Sequence, residues 1–526
     1  MAKTSVTHPL QIDEVGLRNG RLGLTFCPGK QQPGALSGAW ARDLPTDLRA
    51  VADWGARQVI TLLEDHELSE LGVGDLGAQA EALGLEWHLV RIPDGGVPDR
   101  PARAAWFLAS ARAHRFLEAG GRVVLHCKGG LGRTGMMAAR LLAEAGVSPR
   151  EAMRAVRQAR PGAIENLAQE HEVLGTAPLP AGWVEKADKV LGVLLGGAVG
   201  DGLGYAVEFL KLDAILERWG ESGLQEPVYQ DGALIVSDDT QMTLFTAEAL
   251  LRTHARFCSR GLAGFGDVVW YAYRRWLGTQ LGPLAEPASE PGWLAGLPVL
   301  QHRRAPGGTC VTALQSSETP VARAANHSKG CGGVMRVAPI GLCGEAKQAY
   351  RDASRAAATT HGHPSGYIAS GAMAAIVSLA SREGLALADA ARRVVPLCEA
   401  EKGAGETIAA LTGALERAAS QEDARAAVRA LGEGWVAEEA LAVGLFAALR
   451  GRSFPEVLRI AANHDGDSDS TASIAGQLYG AAFGLADLPL PWVRRLDVLE
   501  PLLILAHDLT ALVCDADARL QSYPPN

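Results

Sequence analysis

The chain has 526 residues, of which 48% are hydrophobic and 21% charged, and its formal net charge is −9. That length exceeds one ordinary core, so two domains, or at most three, are expected, with the balance of a globular rather than a disordered protein. The acidic balance and the lack of a basic block exclude the usual surface for gripping nucleic acid or anionic lipid, while leaving room for a local basic pocket.

The eight cysteines, Cys27, Cys127, Cys258, Cys310, Cys331, Cys343, Cys398 and Cys514, are scattered without a Cys-x-x-Cys pair. Neither a zinc cluster nor a dense disulfide framework is expected. The opening MAKTSVTHPLQIDE lacks the apolar core of a signal peptide, and a reducing cytoplasm is the expected location.

In chain order, RLGLTF (21–26), RQVITLL (57–63), EWHLVRI (86–92) and RVVLHC (122–127) read as strands. RAAWFLASARAHRFLEA (103–119) reads as a helix between them. The alternation predicts an α/β layer fold. LGTAPLPAGW (174–183), with Gly, Pro and no charge, marks the boundary. It predicts a first domain over 1–175, a linker over 176–186 and a second domain over 187–526. Beyond the boundary, alanine-rich amphipathic runs such as 406–431 predict a mostly helical domain. The Pro- and Gly-rich stretch 277–309 reads as a long surface insertion. PSGYIASGAMAAIVSLAS (364–381) is long enough for a membrane span, but its small residues predict a closely packed core helix. No tandem repeat and no DNA-binding motif is found, and no membrane association is expected; nucleic acid stays open as a substrate.

Two constellations carry chemistry. In the first, VVLHC runs into KGGLGRTG and then an apolar helical pattern. A tight loop at a helix N-terminus gathers backbone N–H groups into one concavity, and the helix dipole adds positive potential. Such a cradle, formed by Lys128, Gly129, Gly130, Leu131, Gly132 and Arg133, binds a phosphate dianion and favours a thiolate nucleophile at Cys127. Arg133 grips two phosphate oxygens, and Thr134 hydrogen-bonds the sulfur. The bland alternative is a structural cysteine before a Gly-rich turn; the His-Cys strand end, three glycines, Arg-Thr-Gly and immediate helix together argue against it. These residues resemble the Cys-based dual-specificity phosphatases, nearest the cyclin-dependent kinase inhibitor 3-like branch. LGLTFCPGK (22–30), EDHEL (64–68), IPDGGVPD (92–99) and RPGAIENLAQ (160–169) extend the likeness over most of 15–175. The resemblance implies that Asp94, in a Gly-rich loop, is the general acid; Asp99, five residues on, is the runner-up and reads rather as a turn residue. It also implies that Gln169 orients the hydrolytic water, and it places Glu165 where glutamine is expected.

The second constellation pairs VSDDTQMT (236–243) with HDGDSDST (464–471). An EF-hand reading of the latter fails, because Ser470 and Gly476 stand where glycine and glutamate are required. Each cluster opens an apolar helical pattern, so each carboxylate alone reads as an N-cap. Together they offer hard oxygen ligands for two divalent cations. With KVLGVLLGGAVGDGLGYAVEF (189–209), GCGGVMRVAPIG (330–341) and THGHP (360–364), they are similar to the ADP-ribosylglycohydrolases over about 188–515. That resemblance implies an all-α domain holding two magnesium ions through Ser237, Asp238, Asp239, Asp467, Asp469 and Ser470. It places Glu208 near the scissile bond, and Gly332, Gly333, Val334, Met335 and His361 against ADP-ribose. Asp465 falls outside the ligand set, Cys331 stands where asparagine is common, and RRAPGGTC (303–310) borders the substrate. Trp270, Tyr271, Tyr273 and Trp276 read as core rather than as an adenine platform.

The expectation is a bifunctional hydrolase: a Cys-dependent phosphatase and a magnesium-dependent enzyme releasing ADP-ribose. Its partners are then an ADP-ribosylated substrate, a phosphorylated one, or one molecule carrying both groups. Two alternatives stay open: one domain is a non-catalytic reader, or the second acts on a different nucleotide-like substrate.

Overall fold

The computed structural model describes residues 2–35, 38–261, 264–282, 292–515 and 523. The chain divides into two units, Met1–Val184 and Glu185–Asn526.

The first unit is built on strands β1 (Asp13–Leu17), β2 (Gly20–Phe26), β3 (Gln31–Gln32), β4 (Trp40–Ala41), β5 (Ala56–Thr61), β6 (Glu86–Leu89) and β7 (Arg122–Cys127). Five of them form a sheet in the order β1-β2-β7-β5-β6, and β3 pairs with β4 separately. β1 is antiparallel to β2, while the other pairs in the sheet are parallel. β7 is the central strand, and Val123, Val124 and Leu125 on it are fully buried. An unbroken apolar run is what a parallel strand covered on both faces requires. Helices α1 (Leu44–Asp53), α2 (Asp65–Glu70), α3 (Leu76–Ala82), α4 (Arg100–Glu118), α5 (Gly132–Glu144), α6 (Pro149–Ala159) and α7 (Leu167–Leu174) complete the unit. This is the expected α/β fold. The four anticipated strands and the long helix are present, whereas β1 and the β3–β4 pair were not anticipated. Open α/β sheets place ligands at the carboxyl ends of their parallel strands, and β7 ends there in Cys127.

The second unit is helical, and its described residues contain isolated β-bridges but no strand. It starts with α8 (Trp183–Tyr205), α9 (Leu212–Trp219), α10 (Asp238–Arg260) and α11 (Phe265–Leu281). Gly196, Gly200 and Gly204 recur every fourth residue on α8, which puts them on one face. That face lies directly on the helix Ser468–Phe483. A Cβ at Gly196 would sit 2.6 Å from Gly476 O, at Gly200 2.1 Å from Ala472 O, and at Gly204 2.1 Å from Ser468 O. Only hydrogen fits at all three contacts, and this approach places α8 beside the start of the 468–483 helix.

The uncharged 364–381 stretch lies in the helix Pro364–Arg382, most of whose residues are buried. No helix among the described residues is long and apolar enough to cross a membrane. Trp270, Tyr273 and Trp276 are fully buried core residues, while Tyr271 is half-buried. The run 406–431 is helical as two segments, Gly405–Ala419 and Ala424–Leu431, and Asp423 caps the second through the Arg425 and Ala426 N–H groups. One expectation needs correction. The stretch 277–309 is not a surface insertion throughout, since Leu294 and Leu300 are fully buried. Residues 283–291 of it lie outside the described residues.

Candidate functional site

In the first unit, the turn 128–131 joins Cys127 at the end of β7 to α5. Gly130 adopts a φ of +73°, and a Cβ there would fall 2.4 Å from Thr25 O. The turn therefore requires glycine at that point. Gly130 N–H donates to Cys127 Sγ at 3.2 Å. Leu131 supplies no side-chain cap to α5, so the first N–H groups of that helix remain open for an anion. Thr134 is fully buried and its Oγ1 has no partner.

Arg133 is 1% exposed and is held from three directions. Nη1 donates to Glu67 Oε2 at 2.5 Å and to Ile92 O at 2.9 Å. Nη2 donates to Glu67 Oε1 at 2.9 Å and to Asp94 Oδ1 at 2.8 Å. A guanidinium has five N–H donors. Four are engaged, so a two-point grip on phosphate must recruit the one that now reaches Asp94. Burial acts to raise the Glu67 pKa, but the hydrogen bonds and charge of Arg133 prevail and hold it below the ordinary value.

Asp94 is 70% exposed, in a loop where Gly95 has a φ of +68°. Asn166 Nδ2 donates to Gly95 O at 2.9 Å and ties this loop to the start of α7. Asp99 instead caps α4, accepting from Ala102 N–H at 2.9 Å. Gln169 is buried; its Oε1 accepts from Glu165 N–H at 3.0 Å, and its Nε2 has no partner. Both side chains lie against the cradle, since a Cβ at Gly132 would be 2.1 Å from Glu165 Oε2 and 2.9 Å from Gln169 Nε2. His126 bonds Thr61 Oγ1 at 2.7 Å, and burial pushes its pKa down to about 3, so it is neutral. Lys30, 5% exposed, reaches Lys128 O at 3.4 Å and lies over the Phe26 and Trp40 rings. Burial lowers its pKa, against the opposing pull of Cys27 and Cys127.

In the second unit, Ser237 caps α10, its Oγ accepting from Asp239 N–H at 3.2 Å. Asp238 Oδ2 accepts from Gly307 N–H at 3.2 Å, which brings the 303–310 stretch to the rim. Asp467 and Asp469 stand at the start of the 468–483 helix, and Ser470 N–H donates to Asp469 Oδ1 at 2.8 Å. His464 folds the loop before it, bonding Thr471 Oγ1 at 2.9 Å and accepting from Gly466 N–H at 3.1 Å. Asp465 turns away and accepts from Leu212 N–H at 2.8 Å at the start of α9.

Glu208, Asp467 and Asp469 offer carboxylate oxygens that all lie within 4.8 Å of one another. Burial, followed by the charge of Asp469, raises the pKa of Glu208 to about 9. The same two causes push Asp238, Asp239 and Asp467 well above the carboxylate range. The strongest charges acting on these groups are those of their fellow carboxylates. Two like charges at such a distance cost about 3.5 kcal/mol at an effective dielectric near 20, so the set cannot be fully ionised without counter-charge. Asp239 Oδ2 and Glu208 Oε2 are buried without partners. The donors are all hard oxygens or hydroxyls apart from the Cys331 thiol, which donates to Asp467 Oδ2 at 2.7 Å. This chemistry fits divalent cations.

The family model for ADP-ribosylglycohydrolase matches residues 183–519. The chain belongs to the ADP-ribosylglycohydrolase family. A second model, the DSP-PTPase phosphatase domain of Swiss Army Knife proteins, matches residues 31–173. The chain therefore joins an N-terminal phosphatase domain to an ADP-ribosylglycohydrolase domain. An uncharacterized protein of Archaeoglobus fulgidus is 27% identical over 329 residues, covering 61% of this chain and 97% of its own length. Cyclin-dependent kinase inhibitor 3 of Mus musculus is 31% identical over 130 residues, covering 24% of this chain and 60% of the mouse protein. Among solved structures, an ADP-ribosylglycohydrolase-related protein complex is 28% identical over 62% of this chain and 98% of that one, with a TM-score of 0.43. Kinase associated phosphatase with its catalytic-site cysteine changed to serine is 25% identical over 32% and 93%, with a TM-score of 0.29.

Within the ADP-ribosylglycohydrolase domain, the sequence reading missed Asp201. It is fully buried on α8 and accepts from Ser237 N–H at 2.9 Å, Thr240 N–H at 3.0 Å and Thr240 Oγ1 at 2.5 Å. It thereby fixes the turn that presents Asp238 and Asp239, and burial with the Asp469 charge raises its pKa to about 7. The signal was a lone aspartate in an otherwise apolar helix. In the 331–335 turn, the N–H groups of Val334 and Met335 both donate to Cys331 O, at 2.9 and 3.3 Å, and both side chains are buried. They support the turn from within, leaving Cys331 and Gly332 half-buried and Gly333 behind them. His361 is 1% exposed, with a pKa lowered to about 3 by burial, and its ring underlies Gly330 and Gly332. The exposed rings beside the pocket are ones that sequence did not single out. Phe209 follows Glu208, and Trp435 O accepts from Cys331 N–H; their near-parallel rings are 6.5 Å apart.

Proposed function

We propose that this chain is a bifunctional hydrolase: a phosphomonoesterase acting through Cys127, and a metal-dependent hydrolase that releases ADP-ribose from an ADP-ribosylated substrate. The observation that carries the reading is that each unit holds, among its candidate site residues, buried polar atoms without a partner.

In the phosphatase domain, Cys127 Sγ attacks phosphorus, and the cradle N–H groups with Arg133 hold the charge of the transferring phosphoryl group. Asp94 gives a proton to the leaving oxygen. The Gln169 amide, open toward the cradle, orients the water that cleaves the cysteinyl phosphate, and Thr134 Oγ1 donates to the released sulfur.

In the glycohydrolase domain, Ser237, Asp238, Asp239, Asp467, Asp469 and Ser470 would hold divalent cations, with two magnesium ions as the expected complement. Bound there, the ions supply alignment of a ribose diol and activation of a water. Asp201 keeps the 237–240 turn in place, Glu208 holds or moves a proton beside the reacting bond, and Gly332, whose Cβ would meet Cys310 Sγ at 2.9 Å and His361 at 3.2 Å, lets the 331–333 turn pack down beneath the distal ribose.

The test uses the full chain. Cys127→Ser should abolish phosphatase turnover and leave ADP-ribose release unchanged, and Asp467→Ala should do the reverse. Products from defined phosphorylated and ADP-ribosylated substrates, with and without magnesium, are read by mass spectrometry. Binding of ADP-ribose without turnover under all conditions would refute the second activity.

A further inference from the structure

The C=O and N–H of one planar trans peptide point in opposite directions. The cradle turn 128–131 can therefore aim its N–H groups inward only while its carbonyls are held outward. Each of those carbonyls has a donor. Lys128 O accepts from Lys30 Nζ at 3.4 Å and from Cys27 N–H at 3.5 Å. Gly129 O accepts from Arg160 Nη2 at 3.4 Å, and Gly130 O accepts from Arg160 Nε at 2.5 Å. Leu131 O accepts from Gly135 N–H at 2.8 Å and from Ile164 N–H at 3.4 Å. Gly130 N–H belongs to the same peptide as Gly129 O. It points the opposite way and donates to Cys127 Sγ at 3.2 Å.

Arg160 alone serves two of these carbonyls through its side chain. It follows α6, and its side chain is 12% exposed. Its third arm is fixed by Asp13 of β1, Nη1 donating to Oδ2 at 2.6 Å. Anchored at that end, the planar guanidinium presents Nε and Nη2 as a fork to two successive carbonyls, which an ammonium cannot imitate. We propose that Arg160 is a positioning residue for phosphoryl transfer: it holds the Gly129 and Gly130 carbonyls outside the cradle, and so aims the Gly130 and Leu131 N–H groups at the sulfur and the phosphate. The proposal rests on the reading of the first unit as a phosphatase. Arg133 touches the anion, whereas Arg160 acts on it through the main chain.

Tungstate, a tetrahedral oxyanion that is not hydrolysed, is the probe, and the full chain is used throughout. Tungstate binding is read by calorimetry, and turnover with two aryl phosphates, one with a good leaving group and one with a poor one. Arg160→Met should weaken tungstate binding and lower kcat/KM by on the order of 100-fold. The loss should be equal for the two aryl phosphates, because it lies at the phosphoryl group and not at the proton donor. Asp13→Asn breaks the ion pair but leaves the fork on the carbonyls, so affinity and turnover should stay within about 5-fold of the unaltered protein. If Arg160 only ties β1 to the end of α6, Asp13→Asn should lose as much as Arg160→Met, and that result would overturn the proposal. A loss confined to the poor leaving group would overturn it too. Arg160→Lys covers the case in which Arg160→Met does not fold: it keeps a partner for Asp13 without the fork, and should bind tungstate about 10-fold more weakly. Unchanged tungstate affinity in that variant would overturn the proposal. Tungstate binding without aryl phosphate turnover in the unaltered chain would refute the phosphatase reading and leave the comparison of affinities to decide the role of Arg160. No tungstate binding by the unaltered chain would overturn both.

Discussion

Gly200→Ala tests whether the metal pocket depends on the close approach of two helices. In an exposed helix this change gains about 1 kcal/mol through propensity. Here the new Cβ would sit 2.1 Å from Ala472 O and 2.6 Å from Ala472 C. Ordinary contact begins near 3.4 Å, so the helices must part by about 1.3 Å. The obstacle is main chain, and no side-chain rotamer relieves it. Overpacking of this kind costs about 1–3 kcal/mol, which exceeds the propensity gain. The second unit should therefore lose up to about 2 kcal/mol in denaturant unfolding. Parting the helices also moves Asp201 and Glu208 away from Asp467 and Asp469, and a displacement of about 1 Å at a reacting centre costs on the order of 100-fold in rate. ADP-ribose release should fall by that order while phosphatase turnover is unchanged. Ala472→Gly added to the variant should not restore activity, because the clash is with a carbonyl. Gly278→Ala is the control: nothing lies within 4 Å of its new Cβ, so it should be neutral or slightly stabilising. A Gly200→Ala chain as stable and as active as the unaltered one would refute the helix-contact argument.

Asp94→Asn should lower phosphatase kcat by about 10²–10⁴-fold, yet inorganic phosphate should inhibit up to about 5-fold more tightly, since one exposed ion pair to Arg133 is weakened. Inhibition assays measure both. Glu67→Ala removes the two-point partner of a buried Arg133 and should destabilise the first unit by about 3–5 kcal/mol in urea unfolding, with kcat/KM falling as the guanidinium loses its orientation. The metal-free second unit should become less stable as pH rises. Asp201 is raised from 3.8 to about 7, so between those values the native state holds a proton that the unfolded state has released. Stability is full below the lower value and lost through the upper one, by about 4 kcal/mol for this group alone. Glu208, at about 9, extends the window upward. Guanidinium unfolding at pH 6 and 8 with chelator should show the loss, and magnesium should flatten it.

The sequence made much of both sites legible because their chemistry is local. Cys127 to Thr134 is one strand end, one turn and one helix start, and the pairs Asp238–Asp239 and Asp467–Asp469 each open a helix. What was hidden depends on distance along the chain. Asp201 meets Ser237 and Thr240 only through tertiary folding, and in its own helix it looks like an isolated polar residue. Glu67 lies in the phosphatase-like EDHEL stretch, but its hold on Arg133, far along the chain, forms only through folding. β1 did carry a local signal: Leu17 pairs with Gly20 across the two-residue turn Arg18–Asn19, with Arg18 at a φ of 53°, and Asn and Gly are favoured at and beside such turns. The exposed pair Phe209 and Trp435 could not be read from spacing, because the two rings belong to segments separated by most of the second unit.

The engagement of Arg133 has a further consequence, one of timing. On the phosphatase reading proposed above, Asp94 as the acid and an incoming phosphate would compete for the same N–H of Arg133. An arriving phosphate would take that hydrogen bond and so set Asp94 loose beside the oxygen it is proposed to protonate. Departure of phosphate lets Asp94 return to Arg133, which closes the anion site behind the product. The order of events in one turnover is thus written into how few donors an arginine has.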